Sequence, residues 1–340
     1  MTTYEEVLEA ARKCIGDNCK ACPVCNGKAC RNTIPGPGAK GSGLGAIRNY
    51  DAWQNIFANM DTIAENKDPD TGLELFGRHF ALPVFAAPVG GLNQHFSDVY
   101  DDLAYNRVLV KACADCGIAA FTGDGVDPAQ VNTATLAIQS NGGTGVQTIK
   151  PWDMDTIRQK FEKAKESGCF AVAMDIDAAG LPFLKGKIPP AGSKTVEQLK
   201  EIAVLTDKPF ILKGIMTVKG ALKAKEAGAA GIVVSNHGGR VLDGCPATAD
   251  VLPEIADALQ GSGLKIFVDG GIRSGLDVFK ALALGADAVL IGRPYITAVY
   301  GGAEEGVRIL TEKLRSELDD TMRMCGVSSL AEITRDCVRK

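Results

Sequence analysis

Short apolar runs recur along this chain from about residue 75 to about residue 300, separated by Gly, Pro, Asp, Ser and Asn. They are PVFAAPV (83–89), GIAAFTG (117–123), TGVQTI (144–149), FAVAMDID (170–177), KPFILKG (208–214), AGIVVSN (230–236), KIFVDGG (265–271) and ADAVLIG (286–292). Most are followed by a stretch whose apolar positions recur at helical spacing, WDMDTIRQKFEKAKESG and SGLDVFKALALG most clearly. Apolar strands alternating with amphipathic helices predict a parallel sheet covered by helices. Eight such units predict an α/β fold closed as a (β/α)8 TIM barrel rather than an open doubly wound sheet.

The opening TTYEEVLEAARKC reads as a helix, with Thr3 and Glu6 as a capping box and Val7, Leu8 and Ala11 on one face. Residues 14–45 then lose periodicity and become rich in Cys, Gly and Pro. The pattern therefore divides the chain into an N-terminal helix and small Cys-rich lobe (1–74) and a barrel (75–340). The tail from Ala303 to Lys340 reads as one or two closing helices.

Composition narrows the function. A chain of 340 residues with 46% hydrophobic content can bury one large core, and barrels routinely use this length as a single domain. The formal charge of -4, with both signs interspersed, is unlike the basic footprint of a nucleic-acid binder. No apolar run approaches the ~20 residues that span a bilayer, and MTTYEEVLEA lacks the basic start and apolar stretch of a secretory signal. The expectation is a cytoplasmic enzyme with a small-molecule substrate and neither nucleic acid nor membrane as partner.

In such a barrel, chemistry sits at the C-terminal strand ends. The fourth run ends with Asp175 and Asp177, and the fifth carries Lys213. The sixth leads into Ser235-Asn236-His237-Gly238-Gly239-Arg240, the seventh into Asp269-Gly270-Gly271-Ile272-Arg273, and the eighth into Gly292-Arg293. Glycines after strands 7 and 8 let backbone N–H groups approach a phosphate, and Arg273 and Arg293 add charge-assisted bonds. His237 at a strand end is a candidate base, with Arg240 beside it to hold an anionic substrate group. Lys213 would be buried and needs an anion, Asp177 being one available partner. His79 precedes the first strand and reads as structural, whereas His95 follows it and can reach the barrel mouth.

At these residues the sequence resembles the FMN-dependent 2-hydroxy acid oxidases and dehydrogenases, the glycolate and lactate oxidase family. ILKGI, VVSNHGGRVLDG and VDGGIRSGLDVFKALALGADAVLIGRP carry the resemblance, and LFGRHFALPVFAAPVG and Val146-Gln147 extend it toward residue 75. The resemblance implies FMN at the strand ends, with His237 as base, Arg240 as carboxylate ligand, Asp177 orienting the His, and Lys213 beside the flavin. It implies further cofactor contacts from Pro88, Val89, Gly90, Thr122, Gln147, Asp175 and Ser235, with Asp269, Gly271, Arg273, Gly292 and Arg293 at the ribityl and phosphate. Such barrels often assemble as homo-oligomers, tetramers or larger. The chain also departs from the family: Ile149 stands where an active-site tyrosine is usual, no tyrosine lies near Ile34–Pro35, and the 177–184 loop lacks a second arginine. His95, Asp124 and Lys185 are candidates to replace the missing groups.

Five of the 11 cysteines fall between Cys14 and Cys30. Cys19, Cys22, Cys25 and Cys30 follow C-x2-C-x2-C-x4-C, whose first three members match bacterial cluster-binding runs. Zinc, an iron–sulfur cluster and free or redox thiols all stay open for this lobe. Cys113 and Cys116 also form C-x2-C, but in a helix-to-strand turn where packing is the simpler reason. Three readings follow: oxidation of a 2-hydroxy acid, an FMN barrel acting on a larger alcohol or modified peptide, and a non-catalytic FMN protein with a docking lobe.

Overall fold

The computed structural model describes residues 2–340. Eight parallel strands close a barrel in chain order, the eighth pairing with the first. They are strand 1 (Val84–Ala86), 2 (Ala119–Thr122), 3 (Val146–Ile149), 4 (Ala171–Asp175), 5 (Phe210–Ile215), 6 (Gly231–Val234), 7 (Lys265–Val268) and 8 (Ala288–Ile291). Each falls within a predicted apolar run, except that strand 5 continues one residue past its own.

Alternation along the strands separates two cores. Phe85, Phe121, Val146, Ala173 and Leu290 fill the barrel interior with Phe267. The rings of Phe85, Phe121 and Phe267 meet edge to face, their centroids 6.2, 5.9 and 5.8 Å apart. The opposite faces, among them Ala120, Ile149, Met174 and Val234, pack outward into the larger core. A hairpin of Leu73–Leu75 with Arg78–Phe80 adds Leu75 and Phe80 to the interior core. The division drawn at residues 74 and 75 falls inside this hairpin.

The N-terminal helix spans Tyr4–Arg12 and buries Val7, Leu8 and Ala11, the predicted face. The Thr3 hydroxyl accepts from the Glu6 N–H, while the Glu6 carboxylate accepts from the Thr2 N–H at 2.7 Å, one residue earlier than a capping box places it. This helix lies against the closing helix (Arg293–Met324) so tightly that a Cβ on Gly301 would sit 2.0 Å from the Val7 carbonyl oxygen. The closing helix starts ten residues before the predicted tail and breaks at Ala303, where φ is 47°. Beyond it, Val338–Arg339 pairs antiparallel with Phe57–Ala58, an element that the hydrophobic pattern did not show. No helix of the described residues is long and apolar enough to cross a membrane.

Between Lys13 and Gly43 the chain forms neither helix nor strand. The pre-barrel helix (Leu44–Gln54) then lies over the mouth. A Cβ on Gly45 would stand 2.8 Å from the Gly239 Cα, and the Trp53 indole donates to the Gly270 carbonyl at 2.8 Å. The loops after strands 6 and 7 are thereby held from above.

Candidate functional site

A cavity of about 850 Å³ opens at the C-terminal strand ends. Pro88, Val89 and Gly90 line it after strand 1, Asp175 and Lys213 from within strands 4 and 5, and His237 and Arg240 after strand 6. Asp269, Gly271 and Arg273 line it after strand 7, and Gly292 and Arg293 after strand 8. Most of the strand-end positions named from the sequence thus line one chamber, although Asp177 and Ser235 are not among its lining residues.

His237 has φ 56°, a left-handed conformation that costs a non-glycine residue roughly 1 kcal/mol or more. The surroundings enforce it. Ser235 Oγ accepts from the His237 N–H at 3.0 Å. Asn236 exchanges two hydrogen bonds with Asn49 of the pre-barrel helix, at 2.7 and 2.8 Å, and accepts from the Gly239 N–H at 3.1 Å. Asp177 Oδ1 lies 2.9 Å from His237 Nδ1, which fixes the proton on that nitrogen and leaves Nε2 as an acceptor. Asp177 gets this close because strand 5 bulges at Gly214, where φ is 103° and a Cβ would stand 2.4 Å from the Asp177 Cβ.

Beneath the His, Lys213 is buried 3.1 Å from Asp175 and 3.8 Å from Asp269. Burial works against its charge, but Asp175, Asp177 and Asp269 overcome this and hold the ammonium above its usual range. Burial likewise opposes the Asp175 charge, yet Lys213 and Lys150 outweigh it and hold that carboxyl well below its ordinary range. Asp269 is pushed up by burial, which Lys213 and a Ser235 hydrogen bond only partly offset. Asp175, Asp177 and His237 could offer a metal three ligand atoms, but the Lys213 ammonium already supplies the cation among them.

Lys150 is not among the residues that the sequence singles out. It lines the cavity after strand 3, 3.6 Å from Asp175 and almost fully buried. Strand parity decides which side chains enter the cavity. Val146 faces the interior, so Thr148 and Lys150 share its face, while Gln147 shares the outward face of Ile149. The Gln147 side chain bonds Thr135 at 3.0 Å behind the strand and does not reach the cavity. Thr122 is likewise turned outward beside Ala120 and bonds the Val146 carbonyl at 3.4 Å. Ser235 is buried below the chamber as a support for His237.

Of the proposed replacements, only His95 is free to face the chamber. It lines the cavity against Phe183, and its Nδ1 accepts from the Gly36 N–H at 3.0 Å. Burial, with Arg240, Lys150 and His237 nearby, lowers its pKa to about 3, so the ring is neutral. Asp124 lines the wall but is occupied by Lys160, the Trp152 indole at 2.7 Å and the Lys150 N–H at 2.9 Å. Lys185 is exposed off the cavity, and Lys187 stands at its edge instead. Exposed His79 pairs with Glu74 at 2.7 Å, away from the site.

Arg240, Arg273 and Arg293 form the anion-binding side. None has a carboxylate partner among the described residues, although all three are half-buried. Burial first, and the neighbouring Arg293 second, bring the Arg240 pKa down to about 10. Like charges gathered without a counter-ion leave a place for an anion. Arg240 also donates to the Gly36 and Gly38 carbonyls, so the Cys-rich lobe holds part of its guanidinium. The glycines differ in purpose: a Cβ on Gly271 would strike the Asn49 carbonyl at 2.2 Å, whereas one on Gly292 would meet only Ala87 at 3.6 Å. Gly271 therefore admits the pre-barrel helix, and Gly292 keeps the mouth open for a ligand.

These features fit FMN. Unpaired arginines beside the helix start at Arg293 suit a phosphate, the unpartnered Asp269 Oδ1 suits ribityl hydroxyls, and buried Lys213 suits the polar edge of a flavin.

Comparison with known proteins agrees with that fit. Residues 37–185 and 183–340 match the family described as FMN-dependent dehydrogenase. A peroxisomal (S)-2-hydroxyacid oxidase of Arabidopsis thaliana is 49% identical, the match covering 86% of this chain and 87% of that protein. A 4-hydroxymandelate oxidase of Amycolatopsis orientalis is 31% identical over 91% of this chain and 95% of its own length. Among solved structures, mandelate oxidase with (S)-4-hydroxymandelic acid aligns with a TM-score of 0.80 at 28% identity, covering 100% of this chain and 98% of that one. A mandelate oxidase mutant carrying a monooxide FMN adduct aligns at 0.74 with 32% identity, over 89% and 93% of the two chains. By fold, by the chemistry gathered at the barrel mouth and by these likenesses, the chain belongs to the FMN-dependent dehydrogenase family.

Proposed function

We propose that the protein oxidises a small 2-hydroxy carboxylate to the 2-oxo acid. The observation that carries this reading is the Asp177–His237 pair at 2.9 Å, facing the chamber that Arg240 and Lys213 also line. Bound FMN supplies the two-electron acceptor. His237 Nε2 takes a proton from the substrate, and Asp177 stabilises the imidazolium that results. Lys213 lies where negative charge would gather on the cofactor side.

The substrate carboxylate has two cations available, Arg240 and Lys150, on which neutral His95 closes. Lys150 thus stands in for the clamp residues absent from this chain. Leu181, Phe183 and Leu184 give the outer chamber an apolar wall, which suits a substrate with a hydrocarbon or aryl side chain. The lost tyrosines keep a larger alcohol as the second reading, and the same wall would receive it.

The deciding measurement is the visible spectrum of the anaerobic protein titrated with a panel of 2-hydroxy acids. Flavin absorbance should bleach with at least one acid, and Arg240→Met should weaken that acid's binding. Persistent bands with every acid, bleaching instead with a neutral alcohol, would discard the 2-hydroxy acid reading.

A further inference from the structure

Two short helical turns carry the pair that faces the chamber. Asp177 lies in the turn after strand 4 (Ile176–Gly180), and His237 opens the turn after strand 6 (His237–Gly239). These turns belong to different loops, yet they must hold Asp177 Oδ1 at 2.9 Å from His237 Nδ1. No backbone hydrogen bond passes directly between them among the described residues. They meet at Gly180 and Val241, where a Cβ on Gly180 would stand 3.0 Å from the Val241 carbonyl oxygen. That contact sets how near the turns come, but it supplies no directed bond against their parting.

Lys40, from the lobe that precedes the barrel, spans the two. Its Nζ donates to the Gly180 carbonyl at 3.0 Å and to the Val241 carbonyl at 2.9 Å. Its backbone N–H donates to the Gly239 carbonyl at 2.9 Å. One residue thus bonds the last residue of each turn and the chain just beyond the second. Bonds from an ammonium are charge-assisted and stronger than neutral ones. The base from which Lys40 reaches is fixed as well. Asp243 accepts from the Ser42 N–H and the Ser42 hydroxyl, each at 2.7 Å. Gly41, at φ 63°, permits this approach, since a Cβ there would stand 2.5 Å from an Asp243 carboxylate oxygen. The backbone of the lobe is thereby seated on the strand-6 loop, and the ammonium carries that hold across to the strand-4 loop.

We infer that Lys40 is a positioning residue that ties the two turns together and so keeps the Asp177 carboxylate on His237. The inference rests on the proposed reading in which His237 is the base. Lys40 is not among the residues that line the chamber, so it acts through the pair and not on the substrate. With the tie removed, the carboxylate is free to leave the imidazole, which then loses the group that fixes its tautomer and stabilises its imidazolium. Arg240 has ties of its own, to the Gly36 and Gly38 carbonyls. The loss therefore falls on proton transfer rather than on substrate binding.

The test compares the full-length, flavin-loaded protein with Lys40→Met, which keeps the alkyl chain and removes the donors. Two quantities are read: the rate of flavin reduction by a 2-hydroxy acid that bleaches the wild type, and the downfield proton resonance of the His237 Nδ1–H. The chain has 3 histidines, so loss of one such resonance in His237→Gln assigns it. In Lys40→Met the resonance should weaken or move upfield. The limiting rate should fall about 10- to 100-fold, with half-saturation within about twofold of wild type. Arg48→Met removes a bond to the Cys245 carbonyl at 2.7 Å without touching either turn, and should keep both rate and resonance. Gly180→Ala presses on Val241 with Lys40 in place, and should shift both readings as Lys40→Met does. An unchanged resonance in Lys40→Met, or in Gly180→Ala should Lys40→Met not fold, would overturn the inference. So would a lost rate with an intact resonance, or equal losses in Arg48→Met. A lost resonance with the rate unchanged in both Lys40→Met and His237→Gln would instead discard His237 as the base and leave the tie standing.

Discussion

At the scale of single residues, His237 is set apart from the other charged groups by its two fixed sides. Asp177 occupies Nδ1, and the left-handed backbone leaves Nε2 toward the chamber. His237→Gln should keep its flavin while the rate of reduction by substrate falls about 10²- to 10⁴-fold, as loss of a general base predicts. Unchanged reduction would remove His237 from that role. In the proposed reading Lys150 binds the substrate carboxylate and transfers no proton. Lys150→Met should raise KM about 10- to 100-fold, the loss of one charge-assisted bond, with little change in the limiting rate. A change confined to kcat would place Lys150 elsewhere in the chemistry. His95 makes a separate prediction about pH. Its folded pKa is about 3, against ~6.5 in the unfolded chain. The unfolded state therefore binds the extra proton between those values, so His95 stabilises fully above ~6.5 and loses that contribution as pH falls toward 3, by at most about 1.4 kcal/mol per unit. His95→Asn, whose side-chain oxygen can still accept from the Gly36 N–H, should flatten the slope of urea stability between pH 7 and pH 5. A variant with the wild-type slope would assign the acid sensitivity to other groups.

At the scale of elements, the site depends on two close approaches that only glycine permits. One is the seat of the pre-barrel helix on the loop after strand 6, through Gly45 and Gly239. The other is the bulge in strand 5, where Gly214 makes room for Asp177. Gly214→Ala places a methyl group into Asp177 and asks alanine to hold φ near 103°. The expected result is a loss of about 2 kcal/mol or more in stability and a flavin-reduction pH profile shifted from wild type, because the imidazolium loses its partner. If Gly214→Ala lost only stability and kept the wild-type profile, the bulge would be a folding feature alone. The capping at Ser274 and Asp277 belongs to the same scale. It orients the helix start after strand 7, so that Arg273 points across the chamber and bonds the Cys-rich lobe.

At the scale of the whole molecule, the chamber concentrates charge that folding alone does not satisfy. Asp177 and Asp269 each keep a buried oxygen without a hydrogen-bond partner, and three arginines lack carboxylate partners among the described residues. The arginines gathered without a counter-ion are costly in the empty protein and become stabilising when an anionic ligand enters, while the two carboxylate oxygens await hydroxyl donors. FMN should therefore raise Tm with concentration, by about 2.7 kcal/mol of stability at a hundredfold excess over Kd. Inorganic phosphate should do the same more weakly. Stability indifferent to FMN would mean that the arginines have protein partners in solution.

The barrel and the place of its chemistry were legible in the sequence because both depend on spacing alone. Eight apolar runs separated by helices admit few closures, and a closed parallel barrel brings every strand end to one mouth whatever its detailed packing. Asp175, Lys213, His237, Arg240, Asp269, Arg273 and Arg293 could be picked from that rule and do line one chamber. What spacing could not decide was which way a side chain faces in a strand buried on both sides. In such a strand the apolar pattern does not alternate, so the resemblance points to Gln147 while nothing local marks Lys150 until the register is known. Nor could it decide which charged groups would already be satisfied by neighbours distant in the chain. Lys160 takes Asp124, and the Gly36 and Gly38 carbonyls take part of Arg240. The short strand Val338–Arg339 escaped notice for the same reason, since two residues carry no period and only their pairing with Phe57–Ala58 defines them. Local pattern determined the elements and the end of the barrel where chemistry resides. Tertiary structure decided the facing and pairing of individual side chains, because both depend on contacts between residues far apart in sequence.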